Sequence, residues 1–106
     1  EFVKSTIAAN PVVVFGKSYC PYCHKAVQYL SKTGCHFLNI NLERSWLYAE
    51  FMYRRSDGAT IQDALAKMTG RRTVPNVFIN QVSIGGGDDT ERLYHSGELQ
   101  KMVEGL

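Results

Sequence analysis

The sequence has no apolar run long enough to span a membrane and no large excess of charge of either sign. A helical span needs roughly 20 consecutive apolar residues, and no stretch approaches that length. A basic start followed by an apolar stretch, which would mark a signal peptide, is also lacking. The formal net charge of +2 is too small to indicate binding to nucleic acid or to an anionic membrane. We therefore expect neither as a partner.

Cysteine is scarce and odd in number, with three residues in a chain of 106. Small secreted domains held by disulfides normally carry an even number, and a chain of this length can bury a core without them. Two of the three, Cys20 and Cys23, lie close together. We expect a single, monomeric domain over residues 1–106 with reactive thiols in a reducing compartment, the cytoplasm. An organelle stays open as an alternative, because a targeting segment could have been removed.

Hydrophobic patterns predict alternating helices and strands. Residues 12–15 form a continuous apolar run, which is typical of a strand buried on both faces. Residues 37–42 predict a second strand, and residues 77–79 and 82–84 predict a hairpin. Helices are predicted over residues 2–9, from Pro21 to Gly34, over 45–55 and 61–70, from a cap at Asp88 to about Tyr94, and over 99–106. This order suits an α/β domain of thioredoxin-like architecture, a small four-stranded mixed sheet flanked by helices.

The strongest chemical signal is the motif CPYC at residues 20–23, between a buried strand and a helix. A free thiol has a pKa of about 8.5, so little of it is ionised at neutral pH unless its surroundings stabilise the thiolate. Unpaired N–H groups and the helix dipole do so at a helix start, and Lys17 and Lys25 are near enough in sequence to assist. Cys23 lies one turn later, on the apolar face. The spacing therefore predicts Cys20 as the nucleophile and Cys23 as the resolving thiol.

Two metal-binding alternatives use the same cysteines. With His24 the motif reads C-x-x-C-H, the attachment signature of c-type haem, but the order of strands and helices gives no sign of a haem pocket. Cys20, Cys23, Cys35 and His36 could together bind zinc. The adjacency of Cys35 and His36 is awkward for a tetrahedral site, and the sequence has no second C-x-x-C. We therefore expect no metal.

Three segments together resemble a dithiol glutaredoxin in order and spacing. They are residues 13–23 (VVFGKSYCPYC), 69–80 (TGRRTVPNVFIN) and 84–89 (IGGGDD). Thioredoxins share the fold but typically carry Gly-Pro between their cysteines and lack a loop like the third segment. The resemblance implies reduction of protein–glutathione mixed disulfides and of disulfides, with glutathione as co-substrate and with glutathionylated or disulfide-containing proteins as partners. A thioredoxin-type reductase and a glutathione-bridged iron–sulfur carrier stay as alternatives, although Pro21 counts against the carrier.

The resemblance also implies a glutathione site, whose residues are grouped by the part of the tripeptide they meet. They are Lys17, Gln62 and Arg72 for the glycine carboxylate, Tyr22 beside the sulfur, Thr73, Val74 and a cis Pro75 for the cysteinyl backbone, and Gly86, Asp88 and Asp89 for the γ-glutamyl end. Charged and neutral donors suit a carboxylate, and a helix start offers N–H groups to an anion. Singly, Asp88 could be a helix cap, Gln62 a surface residue, and Arg72 with Arg71 a solvated pair.

Three features depart from the family pattern. Gly87 stands where many relatives have a cysteine, and His24 stands where a basic residue is common. The segment of residues 46–53 is longer than the corresponding segment is in most of the family. As a helix it would be apolar on nearly every side. We expect this segment to pack into an enlarged core, with an aromatic patch for a partner as the alternative.

Overall fold

The computed structural model describes residues 2–42 and 58–106, and within these ranges it contains five helices and four strands. In chain order they are α1 (Phe2–Ala9), β1 (Val12–Gly16), α2 (Pro21–Lys32), β2 (Leu38–Asn41), α3 (Gly58–Thr69), β3 (Asn76–Ile79), β4 (Val82–Gly85), α4 (Gly87–Ser96) and α5 (Glu98–Glu104). Their order is the one that the hydrophobic patterns predict. The predicted helix over residues 45–55 and the apolar segment 46–53 lie outside the described residues.

The four strands form one mixed sheet in the order β2-β1-β3-β4. Strand β1 runs parallel to β2, with Val13 opposite Leu38, and antiparallel to β3, with Val13 opposite Phe78. Strands β3 and β4 form the predicted hairpin. Its turn residues Asn80 and Gln81 have φ angles of 50° and 70°. The favoured two-residue hairpin turn needs a positive φ at both positions, so the turn forms here without glycine.

Strand β1 is buried along its whole length because apolar clusters cover both faces of the sheet. On one face Val13 and Phe15 pack with residues of α1 and α3. On the other face Val12 and Val14 pack with residues of α2 and α5. This two-sided burial explains the continuous apolar run in the sequence. It also anchors the strand that leads directly into the CPYC motif.

Several boundaries differ from the sequence prediction by a few residues. Strand β2 covers Leu38–Asn41 rather than 37–42. Helix α4 begins at Gly87, after an extended Gly86 that serves as its N-cap, so the prediction of Asp88 as the cap is wrong. The helix continues to Ser96, beyond the predicted end at about Tyr94.

Over the described ranges, no helix has both the length and the apolar character needed to cross a membrane.

Candidate active site

Cys20 is the N-cap of α2. Its backbone is extended, and its Sγ accepts a hydrogen bond from the backbone N–H of Cys23 at 3.2 Å. Pro21 follows in the first turn, where a missing N–H leaves no hydrogen bond unmade. The sulfur therefore takes the place of the side-chain oxygen that commonly caps a helix. It lies at the end of the helix where the dipole is positive.

Cys23 lies on the buried face of α2, with only 4% of its surface exposed. Burial, together with a hydrogen bond to the Cys20 thiol, raises the pKa of Cys23 to about 12. The backbone N–H of Lys17 donates to its Sγ at 3.5 Å and offsets part of that effect. A Cβ at Gly16 would lie 3.0 Å from this sulfur, so the glycine makes room for it. Cys23 is therefore a protonated, sheltered thiol beside the partly exposed Cys20.

The loop before β3 borders the nucleophile. The Val74–Pro75 peptide bond is cis, as the family resemblance implies. The backbone oxygen of Val74 lies 3.9 Å from Cys20 Sγ. Pro75 is buried, whereas Thr73 is exposed. A peptide attached to the sulfur of Cys20 would therefore run beside the backbone of this loop.

The start of α4 packs closely on the start of α2. A Cβ added to Gly87 would lie only 2.5 Å from the backbone oxygen of Tyr22, so the two backbones meet with no side chain between them. Gly86 is buried behind this contact, and Asp88 is exposed in front of it. The free N–H groups of a helix start form a ready binding site for an anion. The contact thus brings the start of α4 next to the CPYC motif.

Asp89 organises the loop that precedes α4. Its Oδ2 accepts from the backbone N–H of Gly86 at 2.9 Å and from Arg71 at 3.2 Å, and its Oδ1 accepts from Arg92 at 3.1 Å. The hydrogen bond from Gly86 and the two arginines lower the pKa of Asp89, which stays ionised at neutral pH. Arg71 is therefore paired with Asp89. The alternative of a solvated Arg71–Arg72 pair is wrong for Arg71, and no sequence pattern indicates its contact with Asp89.

Two of the residues expected at the glycine carboxylate are in direct contact. Gln62 is buried rather than a surface residue, and its Nε2 donates to the backbone oxygen of Arg72 at 3.1 Å. The Nε of Arg72 donates to Asp63 at 2.9 Å on the exposed side of α3. Lys17 lies in the loop between β1 and α2, with its Nζ 6.0 Å from the centroid of the Tyr19 ring. The structure thus joins Gln62 to Arg72 and places Lys17 on the loop that leads to Cys20.

Comparisons with known proteins decide the family. A family model described as glutaredoxin matches residues 12–84, which include the CPYC motif and the cis-proline loop. The chain belongs to the glutaredoxin family. Glutaredoxin-C8 from Oryza sativa subsp. japonica is 46% identical over 103 residues, which cover 97% of the chain and 70% of that relative. Glutaredoxin-1 from Saccharomyces cerevisiae is 41% identical over 104 residues, which cover 98% of the chain and 89% of that relative.

Solved glutaredoxin structures share the fold. Oxidized glutaredoxin 2 from Chlamydomonas reinhardtii matches with a TM-score of 0.84 and 38% identity, covering 97% of the chain and 88% of that protein. The buckwheat glutaredoxin–glutathione complex matches with a TM-score of 0.83 and 36% identity, covering 97% and 84%. The predicted thioredoxin-like α/β fold and the predicted enzyme class, a glutathione-dependent thiol–disulfide oxidoreductase, are thereby confirmed. The matches favour a glutaredoxin over a thioredoxin-type reductase.

In this glutaredoxin Lys25 is not available to assist Cys20, contrary to the expectation from sequence. Its Nζ lies 3.0 Å from Oδ1 of Asp88 and 3.3 Å from Oε1 of Glu91. Two carboxylates of α4 therefore neutralise its charge. Spacing along α2 could not reveal these contacts, because the two partners are 63 and 66 residues away in sequence.

Two residues of the metal-binding alternatives have other contacts in the glutaredoxin fold. The Sγ of Cys35 donates to the backbone oxygen of Leu30 at 3.7 Å, beyond the other end of α2. The ring of His24 contacts the backbone oxygen of Ser18. Among residues 2–42 and 58–106, no group of three or more His, Cys, Asp or Glu side chains is placed to hold a metal ion. These ranges therefore offer no donor set for zinc.

Proposed function

We propose that this glutaredoxin reduces protein–glutathione mixed disulfides through Cys20, with Cys23 as the resolving thiol for disulfides that need two cysteines. The observation that carries the proposal is the contrast between the two sulfurs. Cys20 is partly exposed at the start of α2 and accepts an N–H. Cys23 is buried one turn later, with a pKa raised to about 12 by burial and by its contact with Cys20. One sulfur is set for attack and the other for a later step.

The reaction begins when the thiolate of Cys20 attacks the glutathione sulfur of the mixed disulfide. The bond to the substrate protein breaks, and its cysteine leaves as a thiolate that takes up a proton. Cys20 then carries glutathione. The thiolate of a second glutathione attacks the sulfur of the bound one, which forms glutathione disulfide and returns Cys20 as a thiolate.

Cys23 offers a second route from the same intermediate. Its thiol loses a proton and attacks the sulfur of Cys20, which releases glutathione and forms a Cys20–Cys23 disulfide. Two further glutathione molecules reduce that disulfide and leave as glutathione disulfide. For protein disulfides the same closure releases the second thiol of the substrate. Burial, the largest cause of the raised pKa of Cys23, keeps its thiolate scarce and slows this closure at neutral pH.

The glutathione moiety lies, in this proposal, across three parts of the site. Its glycine carboxylate is bound by Lys17, Gln62 and Arg72, with Gln62 already holding the backbone of Arg72. Its cysteinyl backbone pairs with Val74, in the loop of Thr73 and the cis Pro75, and Tyr22 lies beside its sulfur. Its γ-glutamyl carboxylate binds N–H groups of the first turn of α4, next to Gly86, and Asp88 accepts a hydrogen bond from its ammonium. Asp89 acts by shaping the Gly86 loop.

We propose glutathione as the co-substrate, no resident metal, and a monomer acting in a reducing compartment such as the cytoplasm. Thiol–disulfide exchange needs no metal ion, and it requires that Cys20 be kept reduced. An absorbance spectrum of freshly purified protein tests the metal statement. A visible band that disappears with a chelator or an oxidant would favour the iron–sulfur carrier, and a persistent Soret band would favour haem. Light scattering tests the monomer.

A coupled reductase assay tests the activity itself. The protein is given a glutathionylated peptide, glutathione, glutathione reductase and NADPH, and oxidation of NADPH is followed. We expect turnover that depends on both the protein and glutathione. Replacing glutathione and its reductase by thioredoxin reductase is the matched control. Turnover with thioredoxin reductase alone would favour the thioredoxin-type alternative.

A further inference from the structure

Lys25 bridges the two helix starts at the glutathione site. From α2 its Nζ reaches Asp88 and Glu91 on α4, at 3.0 and 3.3 Å. The same Nζ lies 5.5 Å from the centroid of the Tyr22 ring. Tyr22 and Asp88 both belong to the proposed glutathione site, whereas the family resemblance gives Lys25 no contact with the tripeptide. Its side chain is 32% exposed, so it lies at the edge of the site rather than in the core.

The charges around Lys25 are held in place by further hydrogen bonds. The hydroxyl of Tyr29 donates to Oε2 of Glu91 at 2.8 Å. This bond and the one from Lys25 lower the pKa of Glu91, and the bonds to Asp88 and Glu91 raise the pKa of Lys25. At neutral pH the cluster is therefore one ammonium between two carboxylates. Without Lys25, the carboxylates of Asp88 and Glu91 would lie one helical turn apart with no cation between them, beside the proposed γ-glutamyl subsite.

We propose that Lys25 is a positioning residue for glutathione, holding the carboxylate of Asp88 at the start of α4 and cancelling the surplus negative charge beside the γ-glutamyl subsite. The inference rests on the proposed function, because it concerns the same site. A lysine in this place leaves the second oxygen of Asp88 able to meet the ligand ammonium, since only Oδ1 is engaged by Lys25. It also limits repulsion of the ligand carboxylate by Glu91.

Steady-state kinetics on a glutathionylated peptide test this role. Lys25→Met keeps the length of the side chain and removes the charge. We expect it to raise KM for the glutathionylated peptide about two- to fivefold, the range expected for an exposed ion pair, and to change kcat less than about twofold. Lys25→Arg should restore KM, because it keeps the charge and the donors. In an Asp88→Asn background, Lys25→Met should add less than it does alone, because the contact it removes is already broken.

Lys32→Met is the matched control. Lys32 lies two turns further along α2 and contacts the rings of Tyr29 and Tyr94, at 5.0 and 5.8 Å from their centroids. Lys32→Met removes one positive charge from the same helix. An unchanged KM in this variant would show that the rise in KM of Lys25→Met comes from the local contacts of Lys25. An equal rise in KM for both lysine variants, or no rise for Lys25→Met, would overturn the inference while the proposed function stands. A wild-type protein without glutathione-dependent turnover would overturn both.

Discussion

The starts of α2 and α4 meet at the active site, yet they satisfy their N–H groups in different ways. At α2 the sulfur of Cys20 accepts from Cys23 N–H at 3.2 Å. At α4 the carboxylate of Asp89 reaches back to the N–H of Gly86 at 2.9 Å, while two arginines hold both of its oxygens. The sulfur of Cys20 accepts from one N–H and stays partly exposed, so a substrate can reach it. The carboxylate has three donors and stays in place, so the second helix start is a scaffold.

The largest loss of activity is expected when one of the two active-site cysteines is replaced. Cys20→Ser should abolish turnover of both glutathionylated peptides and protein disulfides, because it removes the attacking sulfur. Cys23→Ser should keep substantial turnover of the glutathionylated peptide, since glutathione itself resolves the intermediate, and should lose most reduction of protein disulfides. Both variants are assayed with glutathione as the only reductant. If Cys23→Ser were as inactive as Cys20→Ser on the peptide, the glutathione-resolved route would be wrong.

Alkylation measures the difference between the thiols in the unmodified protein. With iodoacetamide at neutral pH, Cys20 should be labelled on the order of tenfold or more faster than Cys23, because thiolates react and the pKa of Cys23 is raised to about 12 by burial and by its contact with Cys20. Mass mapping after short exposure gives the order of labelling. Cys35 serves as the internal reference for a half-buried thiol. Labelling of Cys23 or Cys35 first would contradict the assignment of Cys20 as the nucleophile.

Arg72 and Lys17 are proposed to bind the glycine carboxylate of glutathione. Removing either positive charge tests whether glutathione binding depends on more than the starts of α2 and α4. Arg72→Ala and Lys17→Ala should each weaken use of glutathionylated substrate by about 1–2 kcal/mol, roughly 5- to 30-fold in kcat/KM, because each removes a charge-assisted contact to the glycine carboxylate. Lys67→Ala, which removes a charge from the last turn of α3, is the control. Unchanged kinetics in both site variants would contradict the mapping of the glycine carboxylate.

Asp89 and Asp88 are neighbours with different expected roles. Asp89 stabilises the loop before α4, whereas Asp88 is proposed to contact glutathione. Asp89→Asn should lower the free energy of unfolding by about 1–2 kcal/mol, since it weakens a charged hydrogen bond to a buried loop. Asp88→Asn should leave the melting temperature nearly unchanged, because Asp88 is exposed, and should raise KM for the glutathionylated peptide instead. Chemical denaturation and steady-state kinetics on both variants check the two effects. The same loss of stability in both variants would contradict the assignment.

The contribution of Asp89 should also depend on pH in a definite direction. Its pKa is lowered in the folded protein, chiefly by the Gly86 N–H, relative to the ordinary value of about 4. A lowered pKa means that the stabilisation is fully present above that ordinary value and is lost as pH falls through the folded pKa. The difference in stability between the wild type and Asp89→Asn should therefore be constant near neutral pH and shrink below about pH 4. A difference that grew on acidification would refute the assignment.

Much of the fold could be predicted because its signals are local. The continuous apolar run at β1, the proline after Cys20 and the short apolar runs of the hairpin each report the structure of a few adjacent residues. The contacts of Arg71 with Asp89 and of Lys25 with Asp88 could not be predicted, since each depends on how distant elements pack. The cap of α4 could not be predicted either, because three glycines followed by two aspartates do not show which residue takes the extended backbone.

Gln62 illustrates the same limit within one helix. It follows Ile61 on α3 and is buried, and its amide donates to the backbone of Arg72 in the loop after the helix. The hydrophobic periodicity of α3 predicts which apolar residues are buried. It does not predict the burial of a polar residue such as Gln62. The family resemblance indicates Gln62, but only the structure shows the hydrogen bond that joins it to Arg72.

The contact at Gly87 has a consequence for the length of ligand that the enzyme accepts. Because backbone meets backbone there, at a position where any Cβ would lie 2.5 Å from the Tyr22 oxygen, no side-chain rotamer can widen or narrow the gap between the two helix starts. The spacing from Cys20 to the proposed anion site at α4 is therefore set by a contact between backbones. A γ-linked glutamate and an ordinary α-linked one differ in reach along the chain. In the proposed binding mode, this spacing would favour the γ-linked glutamate by its length.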